Sequence, residues 1–114
     1  MFADVMSAFR QKLDLKASQI VVGELGRFVK NFKRYDYTFG QECAGDGPLL
    51  NQIIANVAER DGMCLVSSLG LNHTSYGDGW DALGNIDYFH FDRPSSKLLG
   101  ERYATCWLDS YHYV

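Results

Sequence analysis

The chain has 114 residues, of which 46% are hydrophobic and 22% are charged. This is the size of one globular domain, and the composition excludes a fibrous or wholly disordered chain. No stretch reaches the roughly 20 apolar residues that cross a bilayer, and the first residues lack the basic start and apolar run of a secretory signal. We therefore expect one cytoplasmic domain over residues 1–114, without a membrane contact.

Charge is divided unevenly along the chain, although the net charge is only −3. Residues 1–34 hold seven Lys or Arg against three acids, whereas residues 35–114 hold four against eleven. The basic part is predicted to be a solvated face, because such faces are commoner than phosphate sites. The acidic excess weighs against direct nucleic-acid binding, which depends on neutralised phosphates, and favours a protein partner.

Helical spacing of apolar residues predicts the first two elements. Residues 2, 5, 6, 9 and 13 fall on one stripe, which predicts an amphipathic helix over residues 2–14. A second stripe follows the capping residue Ser18 and predicts a helix over residues 19–34; its members are Val21, Leu25, Phe28, Phe32 and Tyr35. The β-branched run Ile20-Val21-Val22 leaves a strand open as the alternative start.

A loop and a third helix come next. Residues 35–47 are rich in glycine and acids, which predicts a loop. Asp46, Gly47 and Pro48 indicate the start of a helix with proline in its first turn. Its apolar face consists of Leu50, Ile53, Ile54, Val57 and Ala58. Gly62 is predicted to end this helix, and residues 63–69 to form a buried strand.

The last third of the chain favours strands. Residues 85–91 and 102–113 alternate with the period of a strand, and Arg93-Pro94-Ser95-Ser96 between them indicates a break. The predicted fold is a single α+β domain. It has three N-terminal helices over about residues 2–62, followed by a small three-stranded antiparallel sheet over about residues 63–114.

The cysteines suggest no disulfide framework. Cys43, Cys64 and Cys106 are odd in number, widely spaced and without a paired motif, so we expect three free thiols. Cys64 and Cys106 have apolar neighbours, whereas Cys43 lies in a polar, glycine-rich stretch and is the candidate reactive thiol.

A small enzyme is the alternative function. It would use Cys43 as nucleophile, or the histidines that titrate near neutrality as bases or metal ligands; these are His73, His90 and His112. The spacing assembles no catalytic set, metal site or cofactor motif, so no catalytic residue, metal or cofactor is predicted.

Residues 73–92 combine aromatic side chains with one sign of charge, since they hold four aspartates and no Lys or Arg. Aromatic anchors among charges that steer encounter are typical of a protein interface. Core rings with turn-forming aspartates would give the same pattern. The predicted partner-binding residues are Tyr76, Asp78, Trp80, Asp81, Asp87, Tyr88 and Asp92.

Part of this segment resembles a known family. Residues 76–83 are similar to the Tyr-Gly-acid-Asn-apolar-Asp-Ala-Leu segment that opens the toxin-facing helix of barstar-type ribonuclease inhibitors. The similarity covers these eight residues only. Gly79 and Asn85 stand where that family has an Asn and an acid, and the predicted chain order differs, so the chain is not assigned to it.

Together these features favour a small non-enzymatic protein-binding module. Size, acidity and the aromatic-acidic segment are typical of proteinaceous inhibitors, such as anti-defence factors of phages and plasmids or immunity partners of toxins. We expect the protein to block a host-defence or toxin enzyme through the residues named above. The sequence leaves its oligomeric state open.

Overall fold

The structure, a computed structural model, describes residues 1–36, 40–74 and 89–111. Its helices are α1 (Phe2–Leu13), α2 (Gly47–Asp61) and α3 (Arg93–Tyr111), and a short 3₁₀ turn covers Ala17–Gln19. Its strands are β1 (Val21–Gly23), β2 (Asn31–Asp36), β3 (Gln41–Asp46) and β4 (Cys64–Val66). β1 pairs with β4 in parallel, and β2 pairs with β3 antiparallel. The predicted order of three helices followed by a three-stranded antiparallel sheet is therefore wrong.

Helix α1 confirms the predicted first helix. It ends where Asp14 takes a left-handed conformation with φ 52° and donates its N–H to the carbonyl of Gln11. Phe2, Ala3 and Met6 on its inner face pack against the core. The buried members of this core are Ala17, Ile20, Val57, Ala58 and Met63.

The helix predicted over residues 19–34 does not form. The chain makes the 3₁₀ turn, then β1 and later β2, so the alternative of a strand at Val21 and Val22 is confirmed. β-Branched residues lose side-chain freedom in a helix, and Gly23 and Gly26 would each cost a helix about 1 kcal/mol. Gly23 suits β1, because a β-carbon there would overlap the Tyr103 ring of α3.

Phe28 lies in a turn and not at the centre of a helix. Its ring packs edge-on against those of His73 and Phe91, with centroids 5.4 and 5.3 Å away. Backbone hydrogen bonds join residues 72–74 to residues 90–92 at this point, and His73 and Phe91 form an antiparallel bridge. Of the strand predicted over residues 85–91, residues 85–88 lie outside the described residues.

The loop predicted over residues 35–47 is also wrong, because most of it belongs to a hairpin. The register of β2 and β3 pairs Asn31 with Asp46 and Asp36 with Gln41. Glycine and acids are depleted in strands on average, but an antiparallel ladder depends on backbone pairing and tolerates them.

Helix α2 confirms the predicted third helix at both ends. The Asp46 carboxylate accepts the backbone N–H of Leu49 at 3.1 Å, and Pro48 occupies the first turn. Gly62 ends the helix in a left-handed conformation with φ 79°. Gly47 is buried, and a β-carbon on it would overlap the carbonyl group of Val29.

The parallel pair β1–β4 lies between helices. Successive residues of a strand point to opposite faces of the sheet, so the contacts of two successive residues show what covers each face. Met63 belongs to the core with residues of α2, whereas the next residue, Cys64, is bonded to Cys106 of α3. One face of the pair is therefore covered by α1 and α2, and the other by α3.

The extended structure predicted over residues 102–113 is wrong for residues 102–111, which belong to α3, and residues 112 and 113 lie outside the described residues. Asp92 caps this helix by accepting the Ser95 N–H at 2.8 Å, and the Ser95 hydroxyl accepts the Asn72 N–H at 2.8 Å. The run Arg93-Pro94-Ser95-Ser96 thus begins a helix with proline in its first turn. None of the three helices in the described part is long and apolar enough to cross a membrane.

Cys64 and Cys106 form a disulfide between β4 and α3, with Cα atoms 6.1 Å apart. The expectation of three free thiols is therefore wrong. The two cysteines are 42 residues apart in sequence, and only the packing of α3 on β4 brings them together.

Two glycine substitutions test α3 and the close approach of the start of α2 to Val29. Gly100 lies in the middle of α3, and a β-carbon there meets nothing within 4 Å. Gly100→Ala should therefore raise the free energy of unfolding by about 1 kcal/mol. Gly47→Ala should lower it by about 1 to 3 kcal/mol, because the added carbon meets backbone. Urea unfolding measures both changes, and a destabilised Gly100→Ala protein would contradict the helix.

Thiol titration tests the disulfide. In denaturant without reductant, one of the three cysteines should titrate, and all three should titrate after reduction. Replacing both Cys64 and Cys106 by serine should lower the free energy of unfolding by about 3 to 4 kcal/mol, the chain-entropy value for a loop of this length. Three thiols before reduction would show that the bond does not form in solution.

Candidate functional site

The carboxyl ends of β1 and β4 lie side by side, and the residues that follow them meet. Glu24 follows β1 directly, while Ser67 and Ser68 follow β4. Parallel strands in open sheets bind ligands outside their carboxyl ends, where the following loops diverge. The topology therefore favours a site at this edge of the pair.

A carboxylate stands at the centre of this edge. Glu24 Oε1 accepts hydrogen bonds from Arg27 Nε at 2.8 Å and from the Ser68 backbone N–H at 2.6 Å. The hydroxyl oxygens of Ser67 and Ser68 lie 3.3 and 3.1 Å from the same atom. The side chain of Glu24 is 7% exposed, whereas that of Arg27 is 51% exposed. We call Glu24, Arg27, Ser67 and Ser68 the Glu24 cluster.

Opposing effects set the pKa of Glu24. Burial raises the pKa because the charged form loses hydration, whereas the hydrogen bonds from Arg27 and Ser68 and the charge of Arg27 lower it. The net pKa lies below the ordinary value of 4.5. Glu24 is therefore ionised at neutral pH and serves as an acceptor and counterion.

Two further side chains hold the loops that carry the cluster. Asn51 of α2 accepts the Leu25 N–H through Oδ1 at 2.7 Å and donates through Nδ2 to the Leu25 carbonyl at 3.0 Å. Arg102 of α3 donates through Nη1 to the carbonyls of Ser67 at 2.8 Å and Leu69 at 3.0 Å. The positions of the cluster residues thus depend on the packing of α2 and α3.

A cavity of about 330 Å³ opens beside the Glu24 cluster. It is lined by Glu24, Arg27, Val29, Lys30, Pro48, Asn51 and Gln52. The charged members are two cations and one carboxylate, so the lining has a small positive excess. The loop after β1 and the first turns of α2 thus supply both the polar and the apolar members of the lining.

Six of the seven predicted partner-binding residues lie outside the described residues; they are Tyr76, Asp78, Trp80, Asp81, Asp87 and Tyr88. Asp92 is described, and its carboxylate caps α3. Hydrogen bonds from the side chain and backbone of Ser95 hold the pKa of Asp92 below its ordinary value. Asp92 therefore has a structural role that its place in an acidic segment did not show.

The groups of the alternative enzyme are only partly described. His73 Nδ1 lies 2.7 Å from the Thr74 carbonyl oxygen, so this ring is engaged with the backbone. His112 and the side chain of Cys43 lie outside the described residues. Residues 1–36, 40–74 and 89–111 contain no group of three or more His, Cys, Asp or Glu that could hold a metal ion.

The Glu24 cluster was missed by sequence reasoning, although a signal for it exists. Two short runs with β-branched residues each end in polar residues, Glu24 after residues 21–23 and Ser67-Ser68 after residues 63–66. Assigning residues 19–34 to a helix hides the first run. Without β1 there is no parallel pair with β4, and the polar residues that follow the two strands have no common edge at which to meet.

No protein-family model matches the chain, and comparisons with curated proteins and with solved structures found no significant match.

The role of Glu24 is tested by stability against pH. Glu24→Gln should lower the free energy of unfolding at neutral pH by about 1 to 3 kcal/mol, because Arg27 and the Ser68 N–H lose a charged acceptor. In the wild type, the depressed pKa means that the unfolded chain binds this proton more readily than the folded one. The contribution of Glu24 is therefore complete above pH 4.5 and is lost as the pH falls below that value.

The matched control is Glu59→Gln, since Glu59 is exposed on α2. Unfolding in urea between pH 7 and pH 3 should show a shallower acid decline for Glu24→Gln than for the control. Parallel curves for the two variants would contradict the charged role of Glu24.

Proposed function

We propose that this protein is a small protein-binding module without catalytic activity, of the inhibitor type, which blocks an enzyme such as a host-defence or toxin enzyme. The observation that carries the proposal is an apolar stripe that α1 leaves uncovered. The aromatic-acidic residues 73–92 are proposed as a second contact on sequence grounds alone.

The stripe consists of Val5, Phe9 and Leu13, which are 57%, 47% and 55% exposed. Their spacing of four residues makes them neighbours along one side of the helix. The inner face of α1 is already satisfied, because Phe2 and Met6 pack on the core. Exposed apolar side chains are normal singly, but a contiguous row of large ones supports a role in protein contact.

The charges near the stripe indicate the chemistry of the partner. Lys12 is the neighbour of Phe9 on the next turn, and Lys16 follows the end of the helix; both are exposed, as are Asp4 and Asp14. The complementary surface is an apolar groove with charges of both signs at its rim, into which an amphipathic helix places residues at i, i+4 and i+8. The rim charges would speed association, and the apolar residues would slow dissociation.

The disulfide weighs against a cytoplasmic location. A cytoplasmic location is expected from the sequence, yet cytosolic thiol systems keep most cysteine pairs reduced. The Cys64–Cys106 bond lies in the wall of an open groove of about 550 Å³ between β4 and α3. Alkylation of free thiols in intact cells, before lysis, shows whether Cys64 and Cys106 are reduced or bonded to each other there.

The binding proposal is tested with variants of the stripe. Full-length protein serves as bait, and the captured partner is then purified and titrated. Phe9→Ser should weaken binding by about 2 kcal/mol or more, the magnitude of an interface hot spot, while the melting temperature stays close to that of the wild type. Gln11→Ser, also exposed on α1, is the control and should bind like the wild type.

Three outcomes would overturn this assignment. The partner binds Phe9→Ser and Gln11→Ser equally, Phe9→Ser unfolds the protein, or sedimentation shows that the stripe is buried against a second copy of the chain. Trp80→Ala provides the corresponding test of residues 73–92: loss of binding without loss of stability supports the second contact, and loss of stability alone contradicts it.

A further inference from the structure

We propose that the cavity beside the Glu24 cluster binds a small molecule that has one carboxylate group and an apolar body. This goes beyond the proposed protein-binding function, which rests on the stripe of α1. The lining has a positive excess and apolar members, and one of its cations, Arg27, is held by Glu24.

The cations of the lining are not equivalent. Arg27 Nε donates to the Glu24 carboxylate at 2.8 Å, while half of its side chain stays exposed and lines the cavity. Arg27 Nη2 has a long contact of 3.4 Å to the Ser67 hydroxyl. Lys30 is exposed and makes no ion pair within the described part of the chain. One full positive charge in the lining is therefore without a counterion there.

Arg27 is held in place before any ligand arrives. Its partner Glu24 is nearly buried and is fixed by the Ser68 N–H at 2.6 Å. Asn51 fixes the backbone of Leu25 through two hydrogen bonds. A guanidinium held in this way loses little side-chain entropy when it binds an anion, and its charge strengthens any hydrogen bond that it donates to a carboxylate.

The lining of the cavity also has apolar members. Val29 is 6% exposed and Pro48 lies in the first turn of α2, and both line the cavity. Ligand sites combine apolar side chains with a few convergent polar groups, and Gln52 adds one amide to the two cations. The volume of about 330 Å³ admits a ring or a short aliphatic chain beside the carboxylate.

The lining favours a carboxylate over a phosphate. Its two cations are offset by Glu24, which suits one negative charge better than two. The start of α2 does not supply the missing donors, because Pro48 has no N–H and the Leu49 N–H is bound to Asp46. A backbone phosphate cradle is thus absent from this end of the described helix.

The test uses benzoate as the probe, added to the full-length, ¹⁵N-labelled protein. Benzoate should produce saturable shifts at Gln52 and at Arg27 Nε, and the uncharged analogue benzamide should produce none. Lys30→Gln should weaken benzoate binding about tenfold, since it removes the uncompensated charge. Lys97→Gln, an exposed lysine of α3 outside the cavity, is the control and should bind like the wild type.

Each of the other results would overturn the inference. Equal binding of benzamide would mean an apolar pocket without anion recognition, and tighter binding of inorganic phosphate would mean a phosphate site. Equal affinity of the two lysine variants, or no saturable shift, would mean that the cavity is not a carboxylate site. Phe9 does not line the cavity, so Phe9→Ser should leave benzoate binding unchanged, and failure here is distinguishable from failure of the protein-binding proposal.

Discussion

The pairing of β1 with β4 is the constraint on which the described fold depends. It consists of only three residue pairs, Val21 with Cys64, Val22 with Leu65 and Gly23 with Val66. A two-stranded sheet is marginal by itself, so its stability requires helices on both faces. Parallel strands also need a long crossover, and the chain supplies it with the β2–β3 hairpin and α2. The positions of the helices are thus consequences of this short ladder.

The parts of the fold that follow from the sequence are those fixed by local chemistry. α1 and α2 were predictable because their apolar spacing is regular and because Asp46, Pro48 and Gly62 define the ends of α2 within one stretch of chain. Caps and left-handed glycines act over three or four residues, and a sequence shows them directly. No distant contact was needed to place either helix.

The parts of the fold that were predicted wrongly are those fixed by contacts between residues distant in sequence. β1 is a strand because β4 lies beside it. The apolar residues around Phe28 have the spacing of a helix, and this spacing led to the wrong prediction. α3 contains Thr105, Cys106 and Trp107, which favour strands, and it leaves Leu98 and Leu108 47% and 56% exposed, so its apolar face is irregular. Its helical state depends on the Asp92 cap, on contacts with β4 and on the disulfide, which only the fold reveals.

The candidate site was missed for the same reason. Glu24 and Ser68 are 44 residues apart, and their hydrogen bond exists only because two strands end side by side. A glutamate after a short apolar run is ordinary in a sequence. It becomes a nearly buried counterion only when Arg27 and the backbone of Ser68 converge on it.

The bond between Cys64 and Cys106 also changes what cleavage of the backbone would do. It closes a covalent ring that contains every residue between the two cysteines. A protease that cuts once within this ring opens the circle but does not separate the products, because sulfur still joins them. The paired residues 72–74 and 90–92 would add non-covalent contact across such a nick. A singly nicked molecule therefore stays one covalent species, heavier by one water, until a reductant cleaves the disulfide.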